Sequence, residues 1–165
     1  METTELAAPQ GITARLGWAP GSTPAERIRS LAKDALADRL DVDRDSISVD
    51  RELVPAFGHN TALLPSIGGR ELPLVVRTAS GRTASVVAVA EPHRLIGLDI
   101  RNRQADETLL HEIRAHSRLW GDSLWDTATD ESLLLHWSRV QAVRQADPRG
   151  VEIRPEHVRD RKSVV

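Results

Sequence analysis

Two neighbouring segments, 72–78 and 83–90, constrain the fold of this 165-residue chain more than any other feature. Both are rich in small and β-branched residues, and the four residues Ala79-Ser80-Gly81-Arg82 separate them. Extended segments of this composition joined by a short turn are typical of an antiparallel β-hairpin. The sequence therefore predicts a sheet built around this hairpin, with further strands at 47–49 and 95–100.

Helices are predicted before and after these strands. Thr23-Pro24-Ala25-Glu26 has the pattern of a capped helix N-terminus, and apolar residues with a 3.6-residue period continue to Leu40. A second helix is predicted from near Asp106, and a third follows the cap segment Thr127-Ala128-Thr129-Asp130. The predicted fold class is α+β, a small and mostly antiparallel sheet packed with helices. The predicted core residues are Val75, Val87, Val89, Leu98, Leu109, Ile113, Leu133 and Trp137.

The remaining segments have the composition of turns and loops. Residues 1–22 contain several Pro and Gly, and we interpret them as a partly mobile leader in which a short strand at 12–18 is possible. Residues 54–71 are predicted to form a loop, in which Gly68-Gly69 is a turn and lacks the spacing of a nucleotide phosphate loop. Val151 and Ile153 are candidates for a further strand, and residues 159–165 form a polar tail.

Composition excludes several classes of protein. The chain has no cysteine, which rules out a disulfide scaffold, a thiolate metal site and a cysteine nucleophile. A net charge of -2 gives no basic footprint for nucleic acid or for an anionic membrane surface. The longest apolar run, near 86–90, is too short to cross a bilayer. We expect a cytoplasmic protein that binds neither nucleic acid nor membrane.

Two motifs that suggest chemistry have simpler interpretations. His111-Glu112 and His116 look like a zinc helix, but five residues correspond to about 500° of rotation, so the two imidazoles cannot share an ion from one face. Ser80 lies in the predicted hairpin turn and lacks the sequence context of a nucleophile elbow. We therefore interpret the histidines as solvated and the serine as a turn residue.

Three segments together carry a resemblance to a known family. They are 85–90, Ile96-Gly97-Leu98-Asp99-Ile100, and the predicted helix from Trp137 to Ala146 with the glycine that follows. Their order and spacing resemble the 4'-phosphopantetheinyl transferase superfamily, in its two-lobed, surfactin-synthetase-activating type, from helix 24–40 to about Val158. The resemblance implies transfer of phosphopantetheine from coenzyme A to a serine of an acyl or peptidyl carrier protein, with magnesium. It also implies a first lobe at 23–94 and a shortened second lobe at 95–158.

The resemblance also assigns roles to single positions, and most of the expected groups are replaced. Asp99 matches the first magnesium-binding carboxylate of the family strand, whereas Arg101 stands where the second carboxylate is expected. Gln141 occupies the position of a glutamate that is a metal ligand or base, and Gln145 that of a lysine. Gln141 and Gln145 are therefore the catalytic positions implied by the resemblance, both substituted.

The coenzyme A contacts that the resemblance implies lie near the hairpin turn and at Arg101. The family's Ser-His-Ser-Gly becomes Thr78-Ala79-Ser80-Gly81, which keeps Ser80 and loses the histidine. We take Arg77, Ser80 and Arg101 as candidate coenzyme A contacts. Arg101 has two interpretations: a guanidinium that binds the diphosphate in place of a metal, with help from Arg77, Arg82 or Arg94, or a surface arginine in an arginine-rich chain.

Two functions follow from these residues. The first is the family reaction, weak or lost here, with Asp99 as the magnesium ligand. The second is a non-catalytic protein that binds coenzyme A, a carrier protein or a partner subunit. We favour the second because Gln141 is a neutral amide that cannot act as a base. The short second lobe further suggests that a partner or a second copy of the chain completes it.

Overall fold

The computed structural model describes residues 1–51, 63–104, 106–117, 127–150 and 152–158. Within these ranges the chain is α+β, with one seven-stranded antiparallel sheet and three α-helices. It divides into two compact units, Met1–Ile100 and Arg101–Val165. Residues 95–100 belong to the first of these units. No helix in these ranges is long and apolar enough to cross a membrane.

The first unit contains the sheet and one helix. Its strands are β1 (Glu2–Leu6), β2 (Ile12–Trp18), β3 (Ile47–Arg51), β4 (Leu63–Ile67), β5 (Arg70–Glu71), β6 (Val75–Ser80) and β7 (Ala84–Ala90). They lie in the order β1-β2-β7-β6-β4-β3, and β5 pairs with β4. The predicted hairpin is confirmed as β6–β7, with Ser80 opposite Ser85.

Helix α1 spans Pro24–Leu40, as predicted from its cap. The Thr23 hydroxyl accepts from the Glu26 backbone N–H, and the Glu26 side chain accepts from the Thr23 N–H at 2.8 Å. This reciprocal capping box satisfies backbone donors that have no partner inside the helix. Asp41 ends the helix in the left-handed conformation at φ 53°.

The main core lies between α1 and one face of the sheet. Leu31 and Leu36 of α1 are fully buried against Val87 and Val89 of β7. Gly17 of β2 permits this close approach, because a Cβ atom there would lie 2.9 Å from Leu31 Cδ2. Side chains alternate between the two faces of a strand, so the odd-numbered residues of β7 face the helix.

The opposite face of the sheet is covered by the chain that follows β7. Ile96 is buried against Ala14, Ala88 and Ala90, and Leu98 is half-buried beside them. The predicted strand at 95–100 is wrong, because this segment has no regular secondary structure. Ile96 and Leu98 pack their side chains on the face of the sheet, while the segment does not extend the hydrogen-bonded ladder.

Two other segments differ from the sequence prediction. Residues 1–22, predicted as a leader, contain β1 and β2, and β2 pairs with central strand β7 along seven positions. The segment predicted as a loop contains β4 and β5, while 52–62 lies outside the described residues. Gly68 and Gly69, at φ +57° and +78°, form the tight turn between these two strands.

The second unit contains α2 (Glu107–Ser117) and α3 (Asp130–Ala146). Asp106 accepts from the Leu109 backbone N–H at 2.7 Å, and Thr129 caps α3 as predicted. Ile113, Leu133 and Trp137 form its core, and a short 3-10 helix follows at Pro155–His157.

The predicted core is confirmed in most of its members. Val87, Val89, Ile113, Leu133 and Trp137 are buried, whereas Val75, Leu98 and Leu109 are half-buried. No strand forms at 152–154, and Val151 and the polar tail 159–165 lie outside the described residues.

Candidate functional site

A cleft of about 490 Å³ opens in the second unit. Its lining consists of Arg101, Leu109, Glu112, His116, Trp137, Gln141, Arg144 and Pro155. This volume lies within the range of about 300–1,000 Å³ that is usual for small-molecule sites. Polar and charged side chains outnumber apolar ones in its wall, which suits a charged ligand.

Helical spacing explains why these side chains share one cleft. Trp137, Gln141 and Arg144 are separated by four and then three residues, so they lie along one face of α3. On α2, Glu112 and His116 are four residues apart and likewise share a face. Each helix thus supplies one apolar or aromatic group and at least one polar group to the cleft.

Arg144 is held by two hydrogen bonds within the second unit. One of its terminal nitrogens donates to Gln141 Oε1 at 3.2 Å, and its Nε donates to the Gly150 carbonyl oxygen at 3.2 Å. Gly150 itself packs so closely on the end of α3 that a Cβ atom would collide with the Arg144 backbone carbonyl. The turn after α3 therefore orients Arg144, and Arg144 orients Gln141.

His116 packs between an aromatic ring and a carboxylate. Its ring centroid lies 5.2 Å from that of Trp137, with the planes tilted by 30°. Its Nδ1 lies 3.4 Å from Glu156 Oε2, which is an ion-pair distance and long for a hydrogen bond. The pKa of the Glu156 carboxyl is lowered, mainly by a hydrogen bond from the backbone N–H of Glu156 itself. Burial opposes this effect, and His116 adds to it. Glu156 is therefore ionised at neutral pH.

Two of the residues predicted from the resemblance lie in this cleft, namely Arg101 and Gln141. Gln145 belongs to the same helix, one turn further on, but does not line the cleft. Asp99 belongs to the first unit, where it is half-buried in the segment after β7.

The other two predicted contacts, Arg77 and Ser80, lie on opposite faces of β6. Ser80 faces α1, and its Oγ is 2.8 Å from the Oγ of buried Ser85. Arg77 lies opposite Ala88 on the other face, and its buried Nε has no hydrogen-bond partner among the described residues. Three residues along a strand reverse the direction of a side chain, so the structure does not bring these two groups together.

Sequence reasoning did not identify three charged or titratable residues of the cleft. In the sequence His116 and Glu112 stand out only as part of an apparent zinc motif, and the resemblance assigns no role to Arg144. The signal available in the sequence was the spacing of Trp137, Gln141 and Arg144, which is that of a single helix face. The sequence does not show that the polar side chains of α2 line the same cleft as this face of α3.

The donor set of the cleft does not suit magnesium. Its described lining residues offer one carboxylate, Glu112, beside the guanidinium groups of Arg101 and Arg144, whereas magnesium prefers carboxylates and water. Nor do the described residues contain any cluster of three or more His, Asp or Glu that could hold a metal ion. Two guanidinium groups and an amide instead suit an anion such as a phosphate.

No family model, curated protein or solved structure matches this chain.

Proposed function

We propose that this chain is a relative of the 4'-phosphopantetheinyl transferases that binds coenzyme A through its phosphates without transferring its phosphopantetheine arm. One observation carries the proposal. Arg101 and Gln141 are far apart in sequence, and the resemblance expects an acidic residue at each position; both line the same cleft. This spatial convergence of two positions that the resemblance relates supports the proposal.

The charges of the cleft favour the binding of phosphate groups. Among the described residues that line the cleft, Arg101 and Arg144 contribute two permanent positive charges and Glu112 contributes one carboxylate. Guanidinium groups present paired N–H donors that match phosphate oxygens, and Gln141 adds an amide. Because Arg144 is already held by Gly150 and Gln141, little side-chain entropy is lost when it binds an anion.

The same residues argue against catalysis. Transfer to a carrier-protein serine requires a base for the hydroxyl proton and a cation that bridges the diphosphate. Gln141 cannot accept the proton, and Arg101 replaces a metal-binding carboxylate with a positive charge. General-base catalysis alone contributes a factor of about 10²–10⁴ in rate, so its loss is severe.

Isothermal titration calorimetry of the full chain with coenzyme A tests this proposal. Pantetheine, which lacks phosphates, should not bind measurably. Arg101→Gln and Arg144→Gln should each weaken binding about tenfold, the value of one charge-assisted hydrogen bond. Arg139→Gln is the matched control, because Arg139 is an exposed arginine of α3 outside the cleft. Equal binding of pantetheine and coenzyme A, or no binding of either, would overturn the proposal.

The family reaction is the second candidate, and the retention of Asp99 favours it. Labelling of an acyl or peptidyl carrier protein by fluorescent coenzyme A tests it. We expect no magnesium-dependent labelling; labelling that requires magnesium and is abolished by Asp99→Ala would establish the enzyme instead. Both candidate functions include a cytoplasmic location. Both also include a binding partner, which is a carrier protein, a partner subunit or a second copy of the chain.

A further inference from the structure

The two nitrogens of the His116 ring have different surroundings. Nδ1 is buried and lies 3.4 Å from Glu156 Oε2. The side chain as a whole is nevertheless 31% exposed and lines the cleft. Because Nδ1 is buried, the exposed surface lies on other atoms of the side chain, and we assign Nε2 to the cleft side.

This arrangement determines what each protonation state offers an anion. In the neutral ring, the Glu156 carboxylate favours the tautomer with hydrogen on Nδ1, which leaves a lone pair on Nε2. A lone pair cannot donate to a phosphate or sulfate oxygen. In the protonated ring both nitrogens carry hydrogen, so Nε2 becomes a charged donor while Nδ1 keeps its carboxylate partner.

We propose that His116 is a third anion-binding group of the cleft and acts only when protonated, so that anion binding is coupled to the uptake of one proton. The ligand class is a multiply charged phosphate or sulfate group. The proposal rests on the anion site proposed above, to which it adds a dependence on pH.

Charged groups around His116 act in both directions. Glu156 and Glu112 attract a proton to the ring, and the face of Trp137, at 5.2 Å, stabilises a cation. Arg101 and Arg144 repel the additional positive charge, as does His157 when it is protonated. An anion held by the two arginines removes that repulsion, so it binds together with the proton.

Calorimetry with inorganic sulfate tests the coupling, because the charge of sulfate is constant in the relevant range. At constant ionic strength, the full chain should bind sulfate about tenfold more tightly near pH 5.5 than near pH 8, the value of one charge-assisted hydrogen bond. Titrations in two buffers of different ionisation enthalpy should show uptake of up to one proton per sulfate. This measurement requires no variant and does not depend on how well a variant folds.

Variants assign the proton to its residue. His116→Gln should retain the weaker affinity and lose the pH dependence, whereas His111→Gln, on an exposed position of the same helix, should leave both unchanged.

Three results would overturn this inference. They are a sulfate affinity independent of pH, an unchanged pH dependence in His116→Gln, and no sulfate binding at either pH. Coenzyme A titrated into the same samples separates the two proposals: if it binds while sulfate fails any of these tests, only the role of His116 is lost. If neither ligand binds, both proposals fail.

Discussion

Replacement of Arg27 should be among the most damaging single changes in the first unit. The side chain is 1% exposed, and no carboxylate pairs with it among its hydrogen-bond partners. Among the described residues, its guanidinium donates to uncharged oxygens only. On the side of the hairpin these are Ser85 Oγ at 3.1 Å, the Gly81 carbonyl at 2.9 Å and the Arg82 carbonyl at 3.3 Å. Before α1 they are the Ala19 carbonyl at 3.3 Å and the Ser22 carbonyl. Arg27 thus ties the segment before α1 to the β6–β7 turn.

The magnitude follows from the number of partners. A hydrogen bond to a charged group contributes about 1.5–3 kcal/mol, and buried acceptors left unpaired cost more. Arg27→Met keeps similar bulk and removes all five donated bonds, but it also removes the cost of burying a charge, and water can reach several of the part-buried carbonyls. We expect a net loss of about 3 kcal/mol in the free energy of unfolding.

Urea unfolding followed by circular dichroism measures this loss. With a slope of about 1–3 kcal/mol per molar urea, the midpoint should fall by roughly 1–3 M while the slope stays constant. Arg29→Met, at an exposed position of the same helix, should change stability by less than about 0.5 kcal/mol. If Arg27→Met cost no more than this control, the hydrogen-bond cluster would not stabilise the fold and the reasoning would be refuted.

The other predictions concern packing, turn geometry and pH. Trp137→Ala should destabilise the second unit by about 3–5 kcal/mol, and an unchanged thermal melt would contradict its assignment to the core. Gly150→Ala should lower the free energy of unfolding by about 1–3 kcal/mol, because the added Cβ clashes with the end of α3. It should also weaken coenzyme A binding, because Gly150 accepts a hydrogen bond from Arg144. An unchanged affinity would show that the turn does not orient the arginine. Hydrogen bonds from the backbone and side chain of Thr23 lower the pKa of Glu26, so the stability these bonds provide is present at neutral pH and is lost as the pH falls through that lowered pKa. Glu26→Gln should therefore be less stable than the unmodified chain at neutral pH and equal to it in acid, and a difference that persists in acid would contradict this origin.

Elements with local signals are predictable from the sequence alone. The start of α1 follows from Thr23 and Glu26, and the start of α3 from Thr129, because a cap and its partners lie within about four residues. The β6–β7 hairpin was predictable for the same reason, since its two strands adjoin a four-residue turn. The burial of Val87, Ile113 and Trp137 followed from their period along these elements.

Where distant segments meet depends on the tertiary fold. Residues 12–18 form a strand because β7, far along the chain, offers a partner over seven positions. Residues 95–100 form no strand, and Ile96 and Leu98 cover a sheet face instead. Arg27 is buried because the β6–β7 turn, distant in sequence, meets the segment just before α1 around its guanidinium. His116 and Arg144 share a cleft because α2 and α3 both present polar side chains to it, and Arg101, which precedes both helices, lines the same cleft. Such long-range pairings depend on the whole set of competing contacts, and no short stretch of sequence contains that information.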